Sequence, residues 1–115
     1  MVEAKGRAMS RKIVIQTDQA MKYRNTMDAL SQRKYVALLQ ILEERGCLHA
    51  PFAEKVAGED NLFALRIMTA GNHRYFYCYD DGEIIFVLSG YSKRTNSIPV
   101  RELRRAKDIR KELGL

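Results

Sequence analysis

Three kinds of feature are scarce in this sequence, and each absence excludes a class of protein. Only two cysteines, Cys47 and Cys78, occur in 115 residues, which is too few for a disulfide scaffold. They form no metal-binding pattern with His49 and His73, because a structural zinc site needs four ligands. Cys47 and His49 are a pair only along the chain. We therefore expect neither a metal nor another cofactor.

Long apolar runs and internal repeats are also missing. No stretch approaches the ~20 apolar residues that cross a membrane, and the first residues lack the apolar core of a signal peptide. We therefore expect the protein to remain in the cytoplasm. A length of 115 residues fits one domain. We expect a flexible tail over residues 1–10, which show no periodicity, and a single domain over residues 11–115.

Positive charge is concentrated near the C-terminus. The formal net charge is +6, and residues 92–115 alone contain eight lysines and arginines against three acids, a net charge of +5. A localised basic patch of this kind is typical of surfaces that bind nucleic-acid phosphates or an acidic protein. It is equally typical of a solvated helix face.

The first part of the chain has the pattern of a strand followed by two helices. Residues 12–17 are rich in β-branched side chains and predict a strand, and Thr17 or Asp18 is suited to cap the next helix. Helical spacing extends to about Arg45, with Ser31 as the cap of the second helix and Gly46 at its end. Two apolar stripes are expected on this helical hairpin, one of Met21, Met27 and Leu30, the other of Val36, Leu38, Leu39 and Leu42.

Three strand-like runs follow between Asn61 and Ser97, after a stretch over residues 47–60 that we interpret as a loop. Their two joints, Ala70-Gly71-Asn72 and Asp80-Asp81-Gly82, carry the residues that reversing turns require. The pattern predicts a three-stranded antiparallel meander.

Alternation along these strands separates the two faces of the meander, since successive side chains point to opposite sides. Phe63, Leu65 and Ile67 share one face, which we expect to pack beneath the second stripe of the helical hairpin. Arg66 and Arg74 fall on the opposite face, which is expected to be open. A last helix begins at Pro99 and carries a thin apolar stripe of Val100, Leu103, Ala106 and Ile109.

Four cations stand in or beside the apolar strands. Arg66 and Arg74 interrupt them, and Lys93 and Arg94 follow the third strand directly. Because such groups bind oxyanions, the set indicates a phosphate site on the open sheet face. The alternative is that each arginine lies at a sheet edge and reaches water with its guanidinium group.

Three ordered segments carry a family resemblance. They are Leu65-Arg66-Ile67, then His73-Arg74-Tyr75-Phe76-Tyr77, then residues 88–99, which lead into the basic last helix. The set resembles toxins of the RelE/ParE superfamily, in particular the HigB-like branch of phage-derived Gp49-like proteins. The resemblance implies an α+β, RelE-like fold: strand, helix, helix, three-stranded antiparallel meander and helix, with the helical hairpin on one face of the sheet.

The same resemblance implies a function. Such a protein is the toxin of a bacterial toxin–antitoxin system, and this branch implies a metal-independent, ribosome-dependent mRNA endonuclease that inhibits translation. The implied partners are a helix-turn-helix antitoxin, which forms a hetero-oligomer with the toxin, together with mRNA and the ribosome, and no membrane. A second hypothesis stays open, in which the fold serves as a non-catalytic protein-binding module, either a gyrase-directed toxin or an inactive phage-derived protein.

Site roles also follow from the resemblance. The arginine of the second segment and the second basic residue of the third, here Arg74 and Arg94, are associated with phosphate binding and cleavage. Arg66 and Lys93 add further cations. From positive charge, and not from the resemblance, four residues of the last helix are expected to bind RNA: Arg101, Arg104, Arg105 and Lys107.

The proton acceptor is left open. Val100 stands near the position where one branch of the superfamily keeps a tyrosine, so Tyr91, Lys93 and His73 remain as candidates. Tyr91 is equally suited to stack an RNA base or to close the end of the sheet. The unplaced proton acceptor favours the protein-binding hypothesis, and the set of phosphate-binding cations favours the endonuclease.

Overall fold

A computed structural model describes residues 11–115. The flexible tail expected over residues 1–10 lies outside the described residues. Within the described range the chain forms three helices and five strands. Their order is β1 (Ile13–Gln16), α1 (Asp18–Arg24), α2 (Ala29–Arg45), β2 (Ala53–Lys55), β3 (Phe63–Ile67), β4 (His73–Asp80), β5 (Ile84–Ser92) and α3 (Val100–Glu112).

All the strands belong to one sheet, in the order β1-β5-β4-β3-β2. Strands β3, β4 and β5 form the predicted antiparallel meander, and β1 joins β5 in parallel. The predicted α+β order of elements is confirmed, and β4 lies at the centre of the sheet. Both faces of β4 are therefore available for packing by helices.

Strand β2 corrects the loop predicted over residues 47–60. Its three residues pair antiparallel with β3, with Ala53 opposite Leu65 and Lys55 opposite Phe63. A strand of this length has no recognisable period, because it is stabilised by its neighbour rather than by an apolar pattern of its own.

Both predicted turns are present and use left-handed backbone. Asn72 (φ 49°) lies in the β3–β4 turn, and Asp81 (φ 56°) and Gly82 (φ 73°) lie in the β4–β5 turn. Glycine, asparagine and aspartate are the residues that tolerate this conformation best. The chemistry of these joints is therefore visible in the sequence.

The helical hairpin is confirmed, but its second helix begins earlier than predicted. Thr17 caps α1 as expected, since its Oγ1 accepts a hydrogen bond from the Ala20 backbone N–H at 3.1 Å. α2 starts after Asp28, so Ser31 is not a cap. Ser31 is instead buried inside the helix, with its Oγ 2.6 Å from Thr69 Oγ1. Ser31 therefore contacts the β3–β4 turn from within α2 and does not start the helix.

α2 covers one face of the sheet with a stripe centred on Tyr35. Tyr35, Leu38, Leu39 and Leu42 are buried, and the Tyr35 ring stacks on Tyr75 of β4 with 4.1 Å between ring centroids. As predicted, the core beneath the helix contains Leu65 and Ile67, with Phe63 packed at its margin.

Three members of the predicted helical stripes do not belong to this core. Val36 is only half-buried, and Met21 and Leu30 are exposed. One position along an α-helix is a rotation of about 100°, so a stripe phased on Tyr35 turns Val36 aside. Ala20 and Met27 are the buried residues nearer the start of the hairpin.

α3 covers the other face of the sheet, which is therefore not open as predicted. Leu103, Ala106 and Ile109 pack against Phe76 and other apolar residues of this face. Val100 is 70% exposed. Three-residue steps drift around a helix by about 60° each, so Val100 is turned well away from the line that Ala106 occupies.

The first core predicts a clear contrast between two adjacent residues of α2. Leu42 is fully buried, whereas Ile41 is 37% exposed. Leu42→Ala should lower the free energy of unfolding by about 2–5 kcal/mol, because it leaves a cavity. Ile41→Ala, the matched control, should lower it by about 1 kcal/mol or less. Urea unfolding measures both values, and equal losses would contradict the assigned packing.

Candidate functional site

A row of polar side chains crosses three strands on the face covered by α3. Arg66 of β3 lies directly opposite Arg74 of β4, and Arg74 lies opposite Tyr91 of β5. The prediction that the two arginines share a face is therefore confirmed. Cross-strand partners have Cβ atoms about 5 Å apart, so the three side chains form one group.

Arg74 is buried, with only 4% of its surface exposed. It lies on the central strand and not at a sheet edge, so the alternative of an arginine reaching water is wrong for this residue. Its Nη1 donates to Asn72 Oδ1 at 2.7 Å and to the His73 carbonyl oxygen at 3.2 Å. Burial, and then the nearby charge of Arg66, lower the pKa of Arg74. The guanidinium group nevertheless stays protonated, because arginine does so throughout the physiological range.

The β3–β4 turn is joined to the end of β5 by three hydrogen bonds. The Lys93 backbone N–H donates to the Asn72 carbonyl at 2.9 Å, and Asn72 Nδ2 donates to the Lys93 carbonyl at 3.0 Å. Ser92 Oγ donates to the Gly71 carbonyl at 2.6 Å. The backbone of Lys93 is thereby held beside the turn that contacts Arg74.

Tyr91 is packed beneath α3 with 5% of its surface exposed. Its ring stacks on Phe76, with 5.4 Å between centroids, and so does not present a face to an RNA base. Burial raises the pKa of Tyr91 to about 12, an effect opposed by Arg74 and increased by Glu102. The phenol therefore keeps its proton near neutral pH, which suits it to donate rather than accept one.

His73 lies on the opposite face from Arg74, since the two are successive residues of β4. Its Nδ1 is 2.5 Å from the Tyr23 hydroxyl. Burial, assisted by Glu102 and opposed by Arg94, raises the pKa of Tyr23 to about 12, so we assign the phenol O–H as the donor. A Cβ on Gly71 would overlap the imidazole ring, so only glycine leaves room for this arrangement.

Glu102, in the first turn of α3, is a charged neighbour of Tyr91 that was not predicted from the sequence. Its side chain is 14% exposed, and its carboxylate oxygens lie 3.9 Å from Arg101 Nε and 3.8 Å from Arg105 Nη1. These separations are too long for hydrogen bonds. The sequence does indicate that Glu102 lies on the inner side of α3, because it is four residues before Ala106 and so shares its side of the helix.

The predicted RNA-binding residues of α3 do not behave alike. Arg101, Arg104 and Arg105 are exposed and line a groove between α3 and α1. Lys107 is instead paired with Glu59, with 3.2 Å between Nζ and Oε2. Lys107 thus ties α3 to the segment before β3. Arg94 lies in the exposed loop after β5, near enough to Tyr23 to affect its pKa.

No three His, Cys, Asp or Glu side chains of residues 11–115 come together as possible metal ligands. Cys47 Sγ is 3.8 Å from His49 Nε2 at the surface, and Cys78 is buried. No helix in this range is long and apolar enough to cross a membrane.

The fold is that of RelE-like toxins. A mutant of the E. coli toxin RelE in the free state superposes with a TM-score of 0.63 at 13% sequence identity, covering 90% of this chain and 98% of that one. RelE in an archaeal RelE–RelB complex from Pyrococcus horikoshii gives 0.61 at 20% identity, with coverage of 75% and 98%. The YoeB dimer from Staphylococcus aureus gives 0.56 at 24% identity, with coverage of 74% and 99%.

Within that class, the chain belongs to the family of phage-derived Gp49-like proteins (DUF891), whose model matches residues 22–111. The resemblance is thereby confirmed at the level of the Gp49-like family and of the RelE-like fold. No curated protein matches the chain.

The contact between Tyr23 and His73 makes a prediction about titration. Burial lowers the pKa of His73, although the charge of Asp28 opposes the effect. The Tyr23 O–H adds to this, because a hydrogen bond donated to Nδ1 stabilises the neutral ring. Tyr23→Phe should therefore raise the pKa of His73 towards its ordinary value. NMR titration of the ring C–H signals measures it.

The direction of the His73 pKa shift can also be tested by measuring how stability depends on pH. The folded-state pKa of His73 lies below its unfolded value, so the unfolded chain binds the proton more readily. The contribution of His73 to the free energy of unfolding should thus be complete above about pH 6.5 and decrease as the pH falls below that value. A pKa of His73 that stays constant or falls in Tyr23→Phe would contradict the hydrogen-bond assignment.

Proposed function

We propose that this protein is the toxin of a bacterial toxin–antitoxin pair and that it cuts mRNA on the ribosome without a metal. The observation that carries the proposal is the pairing of Arg66 with Arg74 across β3 and β4. Like charges directly opposite each other destabilise a sheet. A bound phosphate would convert this repulsion into two favourable contacts.

The donors of the two arginines support phosphate binding. The Nε atoms of Arg66 and Arg74 are buried without a hydrogen-bond partner. Each guanidinium therefore retains an N–H group that can donate a hydrogen bond to a phosphate oxygen, and burial strengthens such an interaction. Asn72 and the His73 carbonyl hold the other side of the Arg74 guanidinium, which limits its freedom before the ligand arrives.

The positive charge of the two arginines is needed most in the transition state of the reaction. When a ribose 2′-oxygen attacks the neighbouring phosphorus, negative charge accumulates on the phosphate oxygens. Donors already placed around that position stabilise the transition state more than the substrate. Arg74 and Arg66 supply these donors in our proposal, Tyr91 supplies a protonated phenol, and Lys93 and Arg94 draw the RNA chain to the end of β5.

The basic groove has a separate role in the proposal. Arg101, Arg104 and Arg105 are exposed and spread along α3, so they do not converge on one phosphate. They attract ribosomal RNA or an acidic segment of a partner through diffuse charge. Lys107 contributes less, because Glu59 already neutralises it.

A cognate antitoxin is the proposed protein partner. The RelE of Pyrococcus horikoshii, which shares the fold, is in complex with RelB, and another similar structure is the intact E. coli RelBE toxin–antitoxin complex. We propose a helix-turn-helix antitoxin, on the resemblance to the HigB-like branch. A small reading frame of that kind beside this gene would support the pairing.

Growth and mRNA cleavage test the proposal together. Induction in bacteria should arrest growth and produce new mRNA 5′ ends within translated regions. Arg74→Lys, which keeps the charge of this buried residue but loses its planar fork, should reduce cleavage by about 100-fold or more. Arg94→Ala should also reduce it, and Arg45→Ala, an exposed arginine at the end of α2, should match wild type.

The remaining outcomes separate the two hypotheses. Arrest without mRNA cleavage would favour the protein-binding module, for which gyrase is the first target to assay. If the wild-type protein neither arrests growth nor cuts mRNA, the proposal that it is a toxin would be wrong. Co-expression of the neighbouring antitoxin should restore growth in the wild type.

A further inference from the structure

An apolar cleft of about 190 Å³ lies at the edge of the sheet, between α2 and the end of β3. Its floor is formed by Leu38 and Ile67, which are buried in the first core, and its rim by Phe52 and Met68. The two rim side chains are 43% and 46% exposed. Single exposed apolar side chains are ordinary, but two that border a buried apolar floor form a continuous patch, and such patches mark interaction sites.

The sheet has an open edge beside this cleft. β2 pairs with β3 only as far as Leu65, and one further bond joins the Arg66 N–H to the Phe52 carbonyl at 2.8 Å. In the part of the chain that the structure describes, no strand lies beside Met68 on this side. Because backbone groups alternate along a strand, the Met68 N–H faces the same side as that of Arg66. An extended segment placed there would continue the line of β2.

The charges that line the cleft are all positive. Lys34 and Arg66 line it, and none of its other lining residues carries a charge. Lys34 is exposed and lies one turn before Leu38, on the same side of α2. Arg66 is half-buried, and its Nε has no hydrogen-bond partner. A carboxylate beside these groups is attracted, whereas a lysine or arginine is repelled.

Size and charge argue against other occupants of the cleft. A volume of about 190 Å³ is below the roughly 300–1,000 Å³ of small-molecule pockets, so the cleft is suited to a side chain rather than to a whole ligand. A symmetric interface between two copies of the chain would bring the same cations face to face. Nucleic-acid backbones offer charge but little apolar surface, so the apolar floor favours a protein.

We propose that the cleft binds an extended acidic segment of a protein partner. One apolar side chain of that segment enters between Phe52 and Met68, a carboxylate lies beside Lys34, and the backbone continues the line of β2. The inference deepens the proposed function and rests on it for the partner alone, because the antitoxin proposed there is the protein that would supply the segment. Arg66 borders both the cleft and the row with Arg74, so the bound segment lies next to the proposed phosphate site.

A synthetic peptide in which valine and glutamate alternate on both sides of one leucine tests the inference. Its binding to the full-length protein is measured by calorimetry, and NMR shifts of the backbone amides locate the site. Wild type should bind this peptide, with the largest shifts at Phe52 and Met68. It should bind the matching peptide with lysine in place of glutamate about tenfold more weakly.

Two substitutions separate the charged and the apolar contributions. Lys34→Glu reverses the charge and should weaken binding of the glutamate peptide about fivefold or more. Met68→Ser removes apolar surface from the rim and should weaken binding by a similar factor. Lys111→Glu and Met21→Ser, which alter exposed residues of other helices, are the matched controls and should bind within about twofold of wild type.

The outcomes distinguish this inference from the proposed function. If wild type does not bind the glutamate peptide, or if either Lys34→Glu or Met68→Ser binds it as tightly as its control, the docking inference is wrong. It is equally wrong if the protein dimerises and Met68→Ser abolishes the dimer, because a second copy then covers the cleft. Neither Lys34 nor Met68 belongs to the proposed catalytic machinery, so both variants should cut mRNA as wild type does.

Peptide binding and mRNA cleavage therefore give separate results. Peptide binding by a protein that never cuts mRNA would remove the endonuclease and keep the docking site. Cleavage by a protein that does not bind the peptide would keep the endonuclease and remove the docking site.

Discussion

The side-chain amide of Asn72 is the contact on which the arrangement of the site depends. Its Nδ2 donates to the Lys93 carbonyl, and its Oδ1 accepts from Arg74 Nη1. One residue thus joins the turn after β3, the end of β5 and the buried guanidinium. Asn72 also has a φ of 49°, which few other residues tolerate. The reversing turn that closes the meander is therefore also the support of the proposed phosphate-binding arginine.

The site combines features that reduce stability with features that serve a ligand. Arg66 and Arg74 repel each other across the strands, and five buried polar atoms among the described residues have no hydrogen-bond partner. Such conflicts are expected where function, rather than stability, selects the residues. The apolar packing of Leu103, Ala106 and Ile109 beside the site and the α2 core on the opposite face compensate for them.

Local chemistry explains which parts of the fold were predictable. The Thr17 cap, the Gly46 helix end (φ 81°) and both turns depend on residues with special backbone or capping properties, so the sequence displays them. The shared face of Arg66 and Arg74 followed from alternation along their two strands, whereas their direct pairing is set by the register. These features need no knowledge of distant contacts.

Contacts between distant segments explain what was missed. β2 exists because β3 lies beside it, and the covering of the second face depends on where α3 returns to the sheet. The Tyr23–His73 contact joins residues 50 positions apart, and no local pattern announces it. Glu102 was missed for a different reason: its place on the inner side of α3 was visible, but the stripe was phased on Val100.

The chemical nature of the RNA ends tests the central claim most directly, namely that a 2′-oxygen attacks a phosphate held by Arg66 and Arg74. Fragments produced by the purified protein on programmed ribosomes should carry a 5′-hydroxyl, which becomes competent for ligation only after treatment with a polynucleotide kinase. Their upstream partners should end in a 2′,3′-cyclic phosphate. Fragments with a 5′-phosphate and a 3′-hydroxyl would contradict the account, because those ends require water, not the ribose, to attack the phosphorus.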